Sequence, residues 1–305
     1  MATVSIFGEP LLELSSDVPG GVLGASKLGV AGDTLNTAIY MSRLGHDVRF
    51  VSALGTDPYS DAIVDRLQSE GVSVEFVLRH PDRIAGLYAI RTDSQGERYF
   101  TYWRDRSAAR EYFRLPGADT GMRSALNCDL FYFSGISLSI LPASHRGSLL
   151  SMVAESAGSG VRVGFDGNFR PYGWESEEQA RLCFEDVARS LAVALPTSED
   201  DDRLWGESSP SVHAERWHRS GTQVVVAKNG PDGAWVLDEG DMTHVPVESV
   251  ISPTDTTGAG DSFNAGFLAG WLDGASPASA ASLGNKLASR VIQHRGAVIP
   301  GSEMP

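Results

Sequence analysis

Short apolar runs rich in β-branched and aromatic residues alternate along this 305-residue chain with longer segments of helical periodicity. Val48 to Ala53, Leu130 to Ser134, Arg162 to Phe165, Val193 to Leu195 and Val224 to Ala227 read as strands buried on both faces. That is the pattern of a parallel sheet covered on both sides. Thr34 to Leu44, Tyr59 to Glu70, Arg146 to Ala157, Glu177 to Ser190, Ser262 to Trp271 and Ala278 to Gln293 read as helices. Such alternation predicts a doubly wound α/β domain, with ligands bound beyond the carboxyl ends of the strands. One region departs from it. Ala85 to Thr92 and Glu97 to Arg104 are strand-like runs joined by Asp93-Ser94-Gln95-Gly96, the chemistry of a hairpin. Together with Leu11 to Leu28 it reads either as a lid or as a plain surface hairpin. A single domain over 1–305, with lid insertions at approximately 11–28 and 85–104, is the expected organisation.

The residues Asp255 to Asp261 carry the sharpest chemical signal. Gly258 and Gly260 permit a tight turn with uncovered amides. Those amides lie at the positive end of the following helix, which makes the turn an anion site. Asp261 is placed to take a proton from a hydroxyl beside an anchored phosphate, an arrangement suited to phosphoryl transfer. The alternative is a Gly-rich loop in which Asp261 caps the helix. No Walker A pattern is present, and no Gly-x-Gly-x-x-Gly follows the first strand, so a P-loop or dinucleotide site is not expected.

Other polar groups also follow strands or open helices. Gly32-Asp33-Thr34-Leu35-Asn36 leads into a helix that Asp33 or Thr34 could cap. Asp166, Asn168 and Arg170 alternate after a strand, so an extended backbone would aim all three one way; an Asp–Arg surface pair is the other reading. Lys228, Gly230 and Gly233 follow the strand Val224 to Ala227, as a nucleotide border or as ordinary turn residues. Tyr102 and Arg104 are two apart on one predicted strand and share a face. Tyr88 sits at a matching distance on the other arm. Two phenols and a guanidinium suit a substrate bearing a carboxylate, which Arg grips through two hydrogen bonds; an amphipathic strand with a solvated Arg fits the same spacing.

Composition narrows the partners. Thirty-nine acidic residues against 25 basic ones give a net charge of −14, which disfavours nucleic acid and anionic membranes. Cys128 and Cys183 have neither metal-type spacing nor a disulfide framework. No apolar run reaches membrane-spanning length. Thr3 to Gly8 reads as a first strand rather than a signal core, so a cytoplasmic location is expected.

The Asp255 to Asp261 run resembles the signature of the ribokinase-like (PfkB) family of sugar kinases. The resemblance extends through Gly8-Glu9, Gly32 to Thr37, Ala53 to Asp57, Gly86-Leu87-Tyr88, Tyr102-Trp103-Arg104, Ser134 to Leu138, Asp166 to Arg170 and Gln293 to Ala297. Within the family, Gly-Leu-Tyr, Tyr-Trp-Arg and Ser-Gly-Ile-Ser-Leu are most similar to the branch acting on 2-keto-3-deoxy sugar acids. The resemblance implies a three-layer α/β/α domain with a mostly parallel sheet and a small β-lid, using ATP and Mg²⁺. The implied reaction phosphorylates the 6-hydroxyl of 2-keto-3-deoxy-D-gluconate. Another sugar, or a catalytically silent sugar sensor, is the alternative.

It implies Asp261 as general base, with Gly258, Ala259 and Gly260 stabilising the transferred group. Gly32, Asp33, Asn36, Tyr88, Tyr102, Arg104 and Arg170 would hold the keto acid. Asn168, Lys228, Gly230, Gly233, Gly258, Gly260 and Asn285 would border the nucleotide. Thr197 stands where many members carry the Asn of Asn-x-x-Glu, leaving Glu199 or Asp200 to supply a carboxylate and the metal ligands unassigned. A homo-oligomer formed through the lid is expected, since two strands alone are marginally stable.

Overall fold

The structure, a computed structural model, describes residues 1–16, 24–92 and 98–305. Its strands are β1 (Thr3–Phe7), β2 (Leu11–Ser16), β3 (Ser26–Ala31), β4 (Asp47–Leu54), β5 (Ser73–Arg79), β6 (Gly86–Thr92), β7 (Arg98–Trp103), β8 (Leu130–Ser134), β9 (Arg162–Asp166), β10 (Val193–Ala194), β11 (Val224–Lys228), β12 (Ala234–Asp238) and β13 (Asp241–Val245). Nine form one sheet in the order β13-β12-β11-β10-β9-β8-β1-β4-β5. All neighbours in it are parallel except β11–β12 and β12–β13, which are antiparallel.

The period-2 alternation of buried residues explains the layering. Phe131 and Phe133 of β8 face one core with Phe165, Leu149, Phe184 and Trp217. Leu130 and Tyr132 face the other with Ile6, Phe50, Leu35, Phe267 and Leu287. Helices Ala143–Gly158, Glu177–Ala188 and Pro210–Arg219 cover the first face. Asp33–Arg43, Ala259–Leu272 and Pro277–Val291 cover the second. Each buried Phe or Leu contributes roughly 1.5–3 kcal/mol, so apolar burial rather than the polar strand ends holds the layers together.

The order of strands also locates the crevice. The chain builds from β1 to β4 and β5 on one side, then returns to β8 and runs through β9, β10 and β11 on the other. The switch point is between β1 and β8, and ligands in such sheets bind beyond the carboxyl ends there. Ser134, Asp166 and Lys228 are the last residues of β8, β9 and β11.

A second sheet, in the order β3-β2-β6-β7, stands beside this edge. The expected hairpin is β6–β7, but it does not stand alone. β6 pairs parallel with β2, which pairs antiparallel with β3. The premise of a marginal two-stranded unit is thereby corrected: the hairpin belongs to a four-stranded sheet, and Leu11 of β2, Ala31 of β3 and Tyr88 and Ile90 of β6 share one apolar cluster. The predicted turn 93–96 and Glu97 lie outside the described residues, as do residues 17–23 of the first segment. Among the described residues, no helix is long and apolar enough to cross a membrane.

Candidate active site

The Gly-rich turn is clasped from behind. Asp255 accepts the Thr257 amide on Oδ1 and the Gly296 amide on Oδ2, both at 2.8 Å. Gly258, in the left-handed region at φ 75°, is the N-cap of Ala259–Leu272. A Cβ there would lie 2.7 Å from the Ala297 carbonyl oxygen, so only glycine fits both the conformation and the space. The helix begins at Ala259, three residues before the run read from the sequence. Asp261 is therefore in its first turn, where helix geometry leaves amides without intrahelical acceptors. One expected donor is corrected: the Ala259 amide donates to Thr256 O at 3.2 Å within the turn. Gly258, Gly260 and Asp261 carry the other amides at this end of the helix.

Asp261 is not a cap. Its Oδ2 accepts Asn36 Nδ2 at 2.7 Å, and its carbonyl accepts the Thr37 hydroxyl at 3.3 Å. The residue is half-buried. Burial, then the neighbouring charges of Asp33 and Asp166, push its carboxyl up to about 8, against the opposing effects of Asn36 and Lys228. Asp33 is not a cap either, since Gly32 occupies that position. Its Oδ2 accepts Ser134 Oγ at 2.6 Å and Asn168 Nδ2 at 3.0 Å. Burial raises the Asp33 carboxyl, and the Ser134 hydroxyl moderates the rise.

Beyond β9 and β11 the polar groups form a second network. Lys228 Nζ donates to Asp166 Oδ1 at 3.2 Å and to Asn264 Oδ1 at 2.9 Å. Asn264 Nδ2 donates to Asp166 Oδ2 at 2.8 Å and to the Tyr132 hydroxyl at 2.9 Å. Nζ also lies 3.7 Å from where a Gly260 Cβ would stand, which puts an ammonium beside the anion turn. The expected alternation of Asp166, Asn168 and Arg170 is not extended. Asn168 takes a positive φ of 31°, and the three side chains go to three partners. Arg170 donates to both oxygens of Asp200, at 2.8 and 2.9 Å, and half its side chain faces solvent. Of the two carboxylates after β10, Asp200 pairs with Arg170, while the exposed Glu199 pairs with Arg203.

On the small sheet, Tyr88 and Tyr102 are directly opposite, with ring centroids 5.8 Å apart. The Tyr88 hydroxyl donates to Glu13. Arg104 does not share their strand, because β7 ends at Trp103. It turns toward the large sheet and is held by Glu9, with its guanidinium carbon 5.8 Å from the Tyr102 ring centroid. Gly230, Gly233 and Asn285 gather elsewhere. Asn285 donates to Val245 O at 3.1 Å and Pro246 O at 3.3 Å, and Gly233 packs on the same Val245 carbonyl.

Tyr132, Ser134, Asn264, Glu9 and Glu13 were given no site role from the sequence, although Glu9 and Ser134 lie in stretches that carry the resemblance. Asn264 is three residues from Asp261 on one helix, a spacing that shares a face and could have flagged it. The others owe their place to long-range packing.

The arrangement gathers an amide turn and an ammonium for an anion, and an elevated carboxylate for a proton. Mg²⁺ is usually bound by one or two carboxylates and substrate phosphates, with water completing the shell. Asp166 and Asp200 are each engaged by a cationic side chain, Asp166 by Lys228 and Asp200 by Arg170.

Comparison with known proteins bears on this site. The model of the pfkB family carbohydrate kinases matches residues 1–304. A 2-dehydro-3-deoxygluconokinase of Dickeya dadantii strain 3937 is 41% identical, covering 99% of this chain and 98% of that one. That of Escherichia coli strain K12 is 39% identical over the same shares. The crystal structure of a PfkB protein from Polaromonas sp. JS666 superposes with a TM-score of 0.84 at 26% identity, covering 99% of both chains.

Proposed function

The chain belongs to the pfkB family of carbohydrate kinases, and from that premise we propose that it transfers the γ-phosphoryl group of ATP to the 6-hydroxyl of 2-keto-3-deoxy-D-gluconate, which is 2-dehydro-3-deoxygluconate under its other name. The observation that carries the reading is the Asp261–Asn36 pair beside the Gly258–Asp261 turn. Asn36 fixes one carboxylate oxygen and leaves the other for the substrate hydroxyl. The raised basicity of Asp261 matches a group that must accept a proton near neutral pH. Gly260, the Asp261 amide and Lys228 would meet charge on the transferred group, in a site whose donors are already oriented. Magnesium on the nucleotide phosphates supplies further neutralisation of that charge when bound. Gly233 and Asn285 would border the base, Arg170 and Asn168 the phosphates, and Gly32, Asp33, Tyr88, Tyr102 and Arg104 the keto acid. ATP as donor also fits a cytoplasmic place of action.

A coupled ADP-release assay over a panel of 2-keto-3-deoxy acids and neutral sugars tests the substrate. The keto acid should show the highest kcat/KM. A higher value for fructose or ribose would refute the assignment.

We read the small sheet as a lid that also joins subunits. β7 is its edge strand, and Tyr102 and Trp103 keep 50% and 60% of their surface exposed. An apolar edge of this kind invites pairing, and a second copy of the same edge would cover it. Light scattering should give a dimer or larger assembly at micromolar concentration, and Trp103→Glu should weaken it. A monomeric wild-type protein would contradict the pairing. Slower hydrogen exchange of residues 85–104 with the keto acid present would mark lid closure.

A further inference from the structure

We propose that Glu9 is the positioning residue of the carboxylate-binding Arg104, and so sets the preference for acidic over neutral substrates. The inference rests on the substrate reading above and adds a residue to it. Glu9 follows the end of β1 at the switch point and is 1% exposed. Arg104 follows the end of β7, so the pair ties the large sheet to the small one.

The geometry is one-sided. Arg104 Nε donates to Glu9 Oε2 at 2.8 Å, and Nη2 donates to the same oxygen. A guanidinium has five N–H donors in a rigid fork. With the Nε edge held by Glu9, the Nη1 edge is the one left for a second carboxylate. Tyr102 lies against this guanidinium and Tyr88 against Tyr102, so that edge belongs to the face already assigned to the keto acid.

Gly86 shows how closely the pair is fitted. A Cβ there would stand 2.9 Å from Arg104 Cβ, 3.0 Å from Glu9 Oε1 and 2.6 Å from Leu11 Cδ2. Glu9 Oε1 has no hydrogen-bond partner among the described residues. The two hydrogen bonds that Arg104 donates to Oε2 are therefore what this buried carboxylate is placed to accept. An Arg without that acceptor would swing on a flexible stem, and ordering it would weaken each substrate contact.

The test compares kcat/KM for 2-keto-3-deoxy-D-gluconate with that for its methyl ester, which keeps the skeleton and loses the charge. Glu9→Met should cut the acid-to-ester ratio by about tenfold or more, by analogy with the loss seen when the partners that orient metal ligands are removed. The loss should appear in KM for the acid, with kcat nearly unchanged. Glu9→Gln, which still offers Arg104 an acceptor, should keep the ratio within about threefold on the same scale. Adding Arg104→Leu to Glu9→Met should cost little more, because both changes remove one interaction. If Glu9→Met does not fold, Glu9→Asp replaces it; one methylene shorter, it cannot hold Oε2 in place and should also lower the ratio. An unchanged ratio in Glu9→Met or Glu9→Asp, or additive losses with Arg104→Leu, would overturn the role of Glu9 alone. A wild-type ratio near one would overturn the carboxylate reading together with it.

Discussion

Asp261→Asn should lower kcat by about 10²–10⁴, the range for losing a general base, and should make the protein more heat-stable at alkaline pH. Both effects follow from one environment. The carboxyl is raised from 3.8 to about 8, first by burial and then by Asp33. Its protonated form is therefore the one the fold favours. The stabilisation it brings is present below pH 4, declines as pH rises, and is gone above about 8. Asparagine does not ionise, so the gain in Tm over wild type should widen from pH 4 to 8 and then level off. In wild type, kcat/KM should rise with pH as Asp261 ionises, and Asp33→Asn should move that limb to lower pH. A variant that keeps more than about a tenth of kcat would remove Asp261 from the base role. One that melts no higher than wild type at pH 8.5 would contradict the account of its burial.

Lys228→Met should cost about 3–5 kcal/mol of stability, as expected when one partner of a buried ion pair is removed. For a chain of this size that is a fall in Tm of roughly 5–8 °C. Asp166 is buried, and Lys228 and Asn264 are its hydrogen-bond partners. Methionine leaves the carboxylate charged and short of a cation. Adding Asp166→Asn removes that charge and should restore more than half of the lost stability, while activity stays low in both variants. Thermal melts of the four proteins in the cycle separate the two effects. No recovery in the double variant would mean that Lys228 acts through packing alone.

What the sequence allowed one to read depended on range along the chain. The α/β/α layers were legible because strands buried on both faces cannot alternate in polarity, and Leu130 to Ser134 shows that pattern plainly. Asp261 was legible because glycines, a helix start and an acid lie within seven residues. The Tyr88–Tyr102 pair was legible from equal distances to a turn. Asp33 was harder to read. An acid at a helix start suggests a cap, yet its partners Ser134 and Asn168 are 101 and 135 residues away. Arg104 looked like one more strand residue, and its counter-charge at Glu9 lies 95 residues back. Tyr132 and Asn264 met Asp166 and Lys228 only once four elements had packed. Local periodicity contains none of these pairings, because they depend on which strand ends become neighbours.

The position of the new phosphate tests the central claim most directly. Phosphorus–proton correlation NMR of the product formed from ATP and 2-keto-3-deoxy-D-gluconate reads it without a coupling enzyme. The product should be a single phosphomonoester correlated with the two protons on C6, with ADP formed in equal amount. A phosphate on any other carbon, or ADP released with inorganic phosphate and no ester, would contradict it.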